Sequence, residues 1–140
     1  VNVEGVFLCA REVGKNMIKN KYGRIINIAS AFGKVGNKFS PTIGYYTSKG
    51  AVINFARALA TEWAKHDITV NNIAPGYFES EMTEELFKID AFVNFVKDKT
   101  VFNRPGKPEE LDTVVAFLAA DGSSYITGQT VFVDGGWTII

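Results

Sequence analysis

The chain has 140 residues, room for one domain rather than two. With 15 Lys plus Arg against 15 Asp plus Glu, its charge gives no reason to expect nucleic acid or an anionic membrane as a partner. Cys9 is the only cysteine, which excludes an intrachain disulfide and suits a reducing, cytoplasmic setting, and Glu4 and Arg11 interrupt any signal-peptide core.

Val6, Phe7, Ala10, Val13 and Met17 recur at helical spacing and predict a helix over residues 3–17, ended at Tyr22-Gly23. Residues 24–29 (RIINIA) read as a buried strand. A loop with Gly33, Gly36, Pro41 and Gly44 follows. Val52, Phe55, Ala56, Leu59, Ala60 and Trp63 mark a second helix over about residues 45–65. Residues 68–74 (ITVNNIA) are a second buried strand, stopped by Pro75-Gly76. Residues 80–99 predict one or two short helices carrying Met82, Leu86, Phe87, Phe92, Phe95 and Val96. Pro108 suits a first helical position, with Glu109 and Glu110 in the first turn, and the helix after it is expected to bury Leu111, Val114, Val115 and Leu118. Residues 130–133 (TVFV) form a third strand, closed by a structural turn at Asp134-Gly135-Gly136.

Strand and helix alternate throughout, which indicates an α/β fold with a mainly parallel sheet and right-handed crossovers. Such sheets bind ligands beyond the C-terminal ends of their strands. Here those ends are Ala29-Ser30, Ala74-Pro75-Gly76 and Val133-Asp134.

Tyr45 and Lys49 stand four apart in the second predicted helix, so they share a face. A nearby ammonium favours the phenolate, which makes the pair a usable acid/base. By itself the spacing reads first as a partly exposed helical pair, since Y-x-x-x-K is common by chance. Ser30 sits where the first strand runs out and offers a hydroxyl to a carbonyl or alcohol oxygen; alone, it reads equally as a loop cap. Pro75-Gly76 ends the next strand, the glycine letting the backbone pass close to a ligand, or forming an ordinary turn.

Taken in order, N-V-E-G from Asn2, N-I-A-S ending at Ser30, Y-Y-T-S-K over residues 45–49, V-N-N-I-A-P-G over 70–76 and G-Q-T-V-F-V-D-G-G over 128–136 resemble the C-terminal half of the short-chain dehydrogenase/reductases. The resemblance covers essentially the whole chain. It implies the C-terminal half of a Rossmann-type doubly wound parallel sheet with flanking helices, and an enzyme that moves hydride between NAD or NADP and an alcohol or carbonyl carbon. Tyr45 would exchange the proton on the substrate oxygen. Lys49 would hold the nicotinamide ribose and favour the Tyr45 phenolate. Ser30 would orient the substrate oxygen, and Asn2 would support a water in the proton relay. Pro75, Gly76, Phe78 and Ser80 match the segment that lines the nicotinamide, with Ser80 where the family often has Thr.

The family's glycine-rich T-G-x-x-x-G-x-G turn and N-N-A-G segment do not occur in these residues, and Gly33-Lys34-Val35-Gly36 is not a dinucleotide fingerprint. The expectation is therefore that residues 1–140 are the C-terminal part of one nicotinamide-binding domain, with the pyrophosphate and adenosine sites upstream. Without the neighbouring strands one of the three would present a long apolar edge, and the isolated residues would be poorly stable. Within the family, T-E-W-A-K, A-P-G-Y-F-E-S-E-M-T and V-D-G-G-W-T resemble the gluconate 5-dehydrogenase branch, which sequence hardly separates from the 3-oxoacyl-[acyl-carrier-protein] reductases. Lys34 and Lys38 read either as attractors of an anionic substrate or as solvated loop lysines. A non-catalytic binding protein on the same fold is the rival class, and the intact Asn2, Ser30, Tyr45 and Lys49 set argues against it.

The remaining features read as structure. No Cys/His/Asp cluster has metal-ligand spacing. His66 suits a helix end, Cys9 a small core position, Trp63 a core or interface position, and Trp137 the neighbourhood of a subunit contact. The two long helices carry the family's usual dimer surface, so the resemblance implies a homo-oligomer, most simply a homotetramer.

Overall fold

The computed structural model describes residues 1–38, 42–81 and 83–140. Pro41 and Met82, named above, lie outside them. The three strands β1 (Gly23–Ile28), β2 (Ile68–Pro75) and β3 (Thr130–Val133) form a parallel sheet in the order β1-β2-β3. Ile28 lies opposite Ile73 and Pro75 opposite Val133, so all three strands end together. Proline is tolerated at that last rung because the ladder stops there.

Helix α1 (Glu4–Asn20) leads into β1, and α2 (Ile43–Trp63) carries the chain from β1 to β2. Both pack on one side through Ala10, Ile25, Ala56, Leu59, Ala60, Ile68 and Val70, with Trp63 against the cluster. A Cβ on Gly14 would sit 2.1 Å from the Trp63 ring, so glycine lets the two helices close. Every residue from Ile68 to Ala74 is buried, as a central parallel strand between two covered faces requires. Its two asparagines are satisfied internally: Asn71 bonds the Ile126 carbonyl and the Gln129 amide, and Asn72 bonds Thr130 Oγ1. Burying side chains such as Ile68, Ile73, Val52 and Leu118 contributes about 1.5–3 kcal/mol each.

Four details differ from expectation. Helix α1 stops at Lys21, whose φ of 50° is left-handed, and Gly23 instead makes room for the Met17 sulfur. Helix α2 starts at Ile43 and runs into a 3₁₀ turn, Ala64–His66, which puts His66 at the helix end as read. After β2 come α3 (Glu84–Phe87), α4 (Asp90–Lys99) and, following a one-turn Pro108–Glu110 segment, α5 (Asp112–Ala119). Helix α5 buries Leu118 but leaves Val115 41% exposed, because a helix of eight residues covers only a narrow stripe. Cys9 is exposed rather than core, since it faces the recess along the outer side of β1.

That recess is the open edge expected of these strands. Among the described residues β1 pairs only with β2, and Ile28 is 54% exposed. No helix among the described residues is long and apolar enough to cross a membrane.

Candidate active site

The first element of the site is the turn after β1. Ala29 still donates to the Ile73 carbonyl, at 2.8 Å, and the strand then gives way to a single 3₁₀ turn, Ala31–Gly33. Ser30 caps that turn: the Phe32 amide donates to its Oγ at 3.3 Å. The capping role and the catalytic one are compatible, because the cap uses an oxygen lone pair and the hydroxyl hydrogen goes to no described residue. Ser30 is only 5% exposed, so a carbonyl oxygen reaching it would leave water behind.

The turn is pressed onto α2. A Cβ on Gly33 would meet the Lys49 carbonyl oxygen at 2.9 Å. The Phe32 ring stands edge-on to Tyr45, with centroids 5.9 Å apart, and to Tyr46, at 4.9 Å. Helix α2 and the serine turn are thus one packed unit, with Ser30 at the start of the turn and Tyr45 and Lys49 on the helix that Phe32 and Gly33 pack against.

Tyr45 and Lys49 keep the one-turn relation expected of their spacing, with the ammonium 5.7 Å from the phenol ring centroid. Lys49 Nζ donates to the Ile28 carbonyl at 2.8 Å, which anchors it at the strand end. Half-burial holds this ammonium below the ordinary lysine value. An ammonium has three hydrogens, so two remain for a ligand. That donor set suits the vicinal hydroxyls of a ribose. Asn2 is exposed; its Nδ2 donates to Ser48 Oγ at 3.2 Å, and Ser48 in turn donates to the Tyr45 carbonyl.

The segment after β2 is organised differently. Gly76 donates to the Val133 carbonyl, and a Cβ there would lie 2.8 Å from the Asp134 Cα. The glycine makes room for the Asp134 turn, as the ordinary-turn reading of Pro75-Gly76 expects. Phe78 is half-buried against Gly106, whose own Cβ would strike the Phe78 ring at 2.4 Å. Thr83, which sequence reasoning passed over, organises the turn. Its Oγ1 donates to the Phe78 carbonyl at 2.8 Å, accepts from the Ser80 amide and lies 3.1 Å from Ser80 Oγ.

An aromatic wall closes the end of the sheet. Trp137 is buried and stacks on Tyr77 at 4.8 Å, while Phe32 meets both rings edge-on. The Asp134 carboxylate caps the turn beneath it by accepting from Gly136 and Thr138. Lys34 and Lys38 are both exposed, Lys34 lying over the Phe132 ring 4.9 Å from its centroid. Among the described residues no three His, Cys, Asp or Glu side chains gather as a metal site.

A buried hydroxyl, a tyrosine and an ammonium therefore lie on the turn and helix at the mouth of a parallel sheet. A family model described as Enoyl-(Acyl carrier protein) reductase matches residues 1–138, and the chain belongs to that family, within the short-chain dehydrogenase/reductases. It is 43% identical over 137 residues to a 3-oxoacyl-[acyl-carrier-protein] reductase of Synechocystis sp., covering 97% of this chain and 53% of that protein. It is 39% identical over 139 residues to the gluconate 5-dehydrogenase of Gluconobacter oxydans, covering 99% of this chain and 53% of that one. Among solved structures, a gluconate 5-dehydrogenase from Burkholderia cenocepacia in complex with NADP and tartrate superposes with a TM-score of 0.96 at 37% identity, covering 100% of this chain and 54% of that one. The chain thus spans about half the length of the curated relatives it matches.

Proposed function

We propose that residues 1–140 are the catalytic C-terminal part of a single nicotinamide-binding Rossmann domain, and that the whole protein is an NAD- or NADP-dependent oxidoreductase interconverting an alcohol and a carbonyl. The observation that carries this reading is the joint placement of Ser30, Tyr45 and Lys49 by the turn packed against α2. Lys49 holds the nicotinamide ribose, and the 75–80 segment, through Pro75, Gly76, Phe78 and Ser80, lines the ring. A nicotinamide held there would provide the hydride chemistry. The Ser30 hydroxyl donates to the substrate oxygen and fixes its carbon. Tyr45 takes the proton from that oxygen in oxidation and returns it in reduction. Asn2 holds the water through which the proton reaches solvent.

The substrate favoured is a sugar acid or polyol, gluconate or its 5-keto form, which the likeness to gluconate 5-dehydrogenases over the entire chain supports. A 3-oxoacyl-[acyl-carrier-protein] reductase is the second reading, favoured by the 43% identity to such an enzyme. Relative turnover of 5-ketogluconate and a 3-oxoacyl thioester separates the two. The protein acts in the cytoplasm as a homo-oligomer, a dimer or tetramer. The apolar groove between α1 and α2, with Phe7 51% exposed, supports this assembly, and sedimentation of the full-length protein reads it.

Tyr45→Phe tests the reading. It removes one oxygen, leaves the ring packed on Phe32, and should lower kcat about 10²–10⁴-fold with cofactor binding retained. Activity near that of the unsubstituted enzyme would overturn the assignment.

A further inference from the structure

The loop that follows the serine turn is mostly exposed, at Gly36 and Lys38, yet Asn37 between them is half-buried. Its side-chain amide donates to the Tyr77 hydroxyl at 2.7 Å, joining residues 40 apart in sequence. Tyr77 is 9% exposed, and its phenol is held between the stacked Trp137 ring and the edge of Phe32. Phe32 connects this cluster to the chemistry, since its amide bonds Ser30 Oγ and its ring touches Tyr45. A continuous run of contacts therefore leads from Asn37 through Tyr77 and Phe32 to both Ser30 and Tyr45.

We propose that Asn37 is a positioning residue, tying the loop after Ser30 to Tyr77 so that Ser30 and Tyr45 are held at the separation an alcohol oxygen needs between them. The role rests on the oxidoreductase reading above. Burial pushes the Tyr77 phenol well above its ordinary value, so it stays a neutral hydrogen-bonding group and takes no part in proton transfer. The bond itself is one neutral hydrogen bond, a modest contribution to stability. Its loss acts on rate instead, because small displacements of reacting groups cost far more in turnover than in folding.

The test uses the full-length enzyme, with Asn37→Ala, Tyr77→Phe and the two combined. Each single variant should lower kcat/KM about tenfold or more through kcat. Binding of the reduced nicotinamide cofactor should be unchanged, and the Trp137 emission of Asn37→Ala should shift. The combination should be no slower than the slower single variant, because either change opens the same tie. Tyr77→Phe is nearly isosteric and decides the matter if Asn37→Ala does not fold. Activity of Tyr77→Phe within about twofold of the unsubstituted enzyme, or multiplied losses in the combination, would overturn the role of Asn37. An enzyme that turns over substrate but is indifferent to Tyr45→Phe would instead overturn the oxidoreductase mechanism, and this role with it.

Discussion

The two strand ends that build this site treat their polar groups in opposite ways. After β1, Ser30 keeps its hydroxyl hydrogen and Lys49 keeps two of its three, with one bond each holding them in place. After β2, the Gly76 amide, the Phe78 carbonyl and the Ser80 amide and hydroxyl are all engaged within the chain. The first end keeps donors able to bond a ligand, and the second uses its polar groups to hold its own turn.

Substitutions on either side sharpen that contrast. Ser30→Ala should show the largest effect, a loss of about 10²–10³-fold in kcat, as for removing one donor to a developing oxyanion. Its melting temperature should fall little, because the lost cap closes only one short turn. A stability loss without a rate loss would make Ser30 a cap and nothing more. Gly76→Ala should do the reverse. The new Cβ would press on Asp134 at 2.8 Å, and forcing that contact should cost about 1–3 kcal/mol of stability, read by chemical denaturation. Unchanged stability would mean that the glycine serves a ligand after all.

A smaller effect concerns pH. Burial makes the charged form of Lys49 harder to keep, so it loses its proton below the free lysine value of 10.5. Affinity for the reduced cofactor should hold through neutral pH and weaken on the alkaline side before that value. Lys49→Arg, whose guanidinium stays charged, should flatten the decline. An alkaline decline unchanged in Lys49→Arg would assign it to another group.

Much of this was legible in the sequence. The Ile- and Val-rich stretch of β2, stopped by Pro75-Gly76, and the fourfold spacing of α2 fix where strands and helices lie, and the strand ends with the Tyr45-Lys49 spacing point to one face. What the sequence conceals depends on distance in space. Gly33, Gly76 and Gly106 are glycines because of what approaches them from other elements, and no local pattern marks that approach. The Asn37–Tyr77 bond joins two loops, and the partners of Thr83 become evident only once the turn is folded. Cys9 and Val115 satisfy helical periodicity but lie exposed, since periodicity identifies a face without saying how much of it is covered.

The central claim is that Ser30 and Tyr45 work on one substrate oxygen as a unit, and kcat of the Ser30→Ala/Tyr45→Phe double variant tests it most directly. The account predicts that the double variant is no slower than the slower of the two single variants, because either change dismantles the same proton-transfer arrangement. A double variant slowed by the product of the two single losses would contradict it.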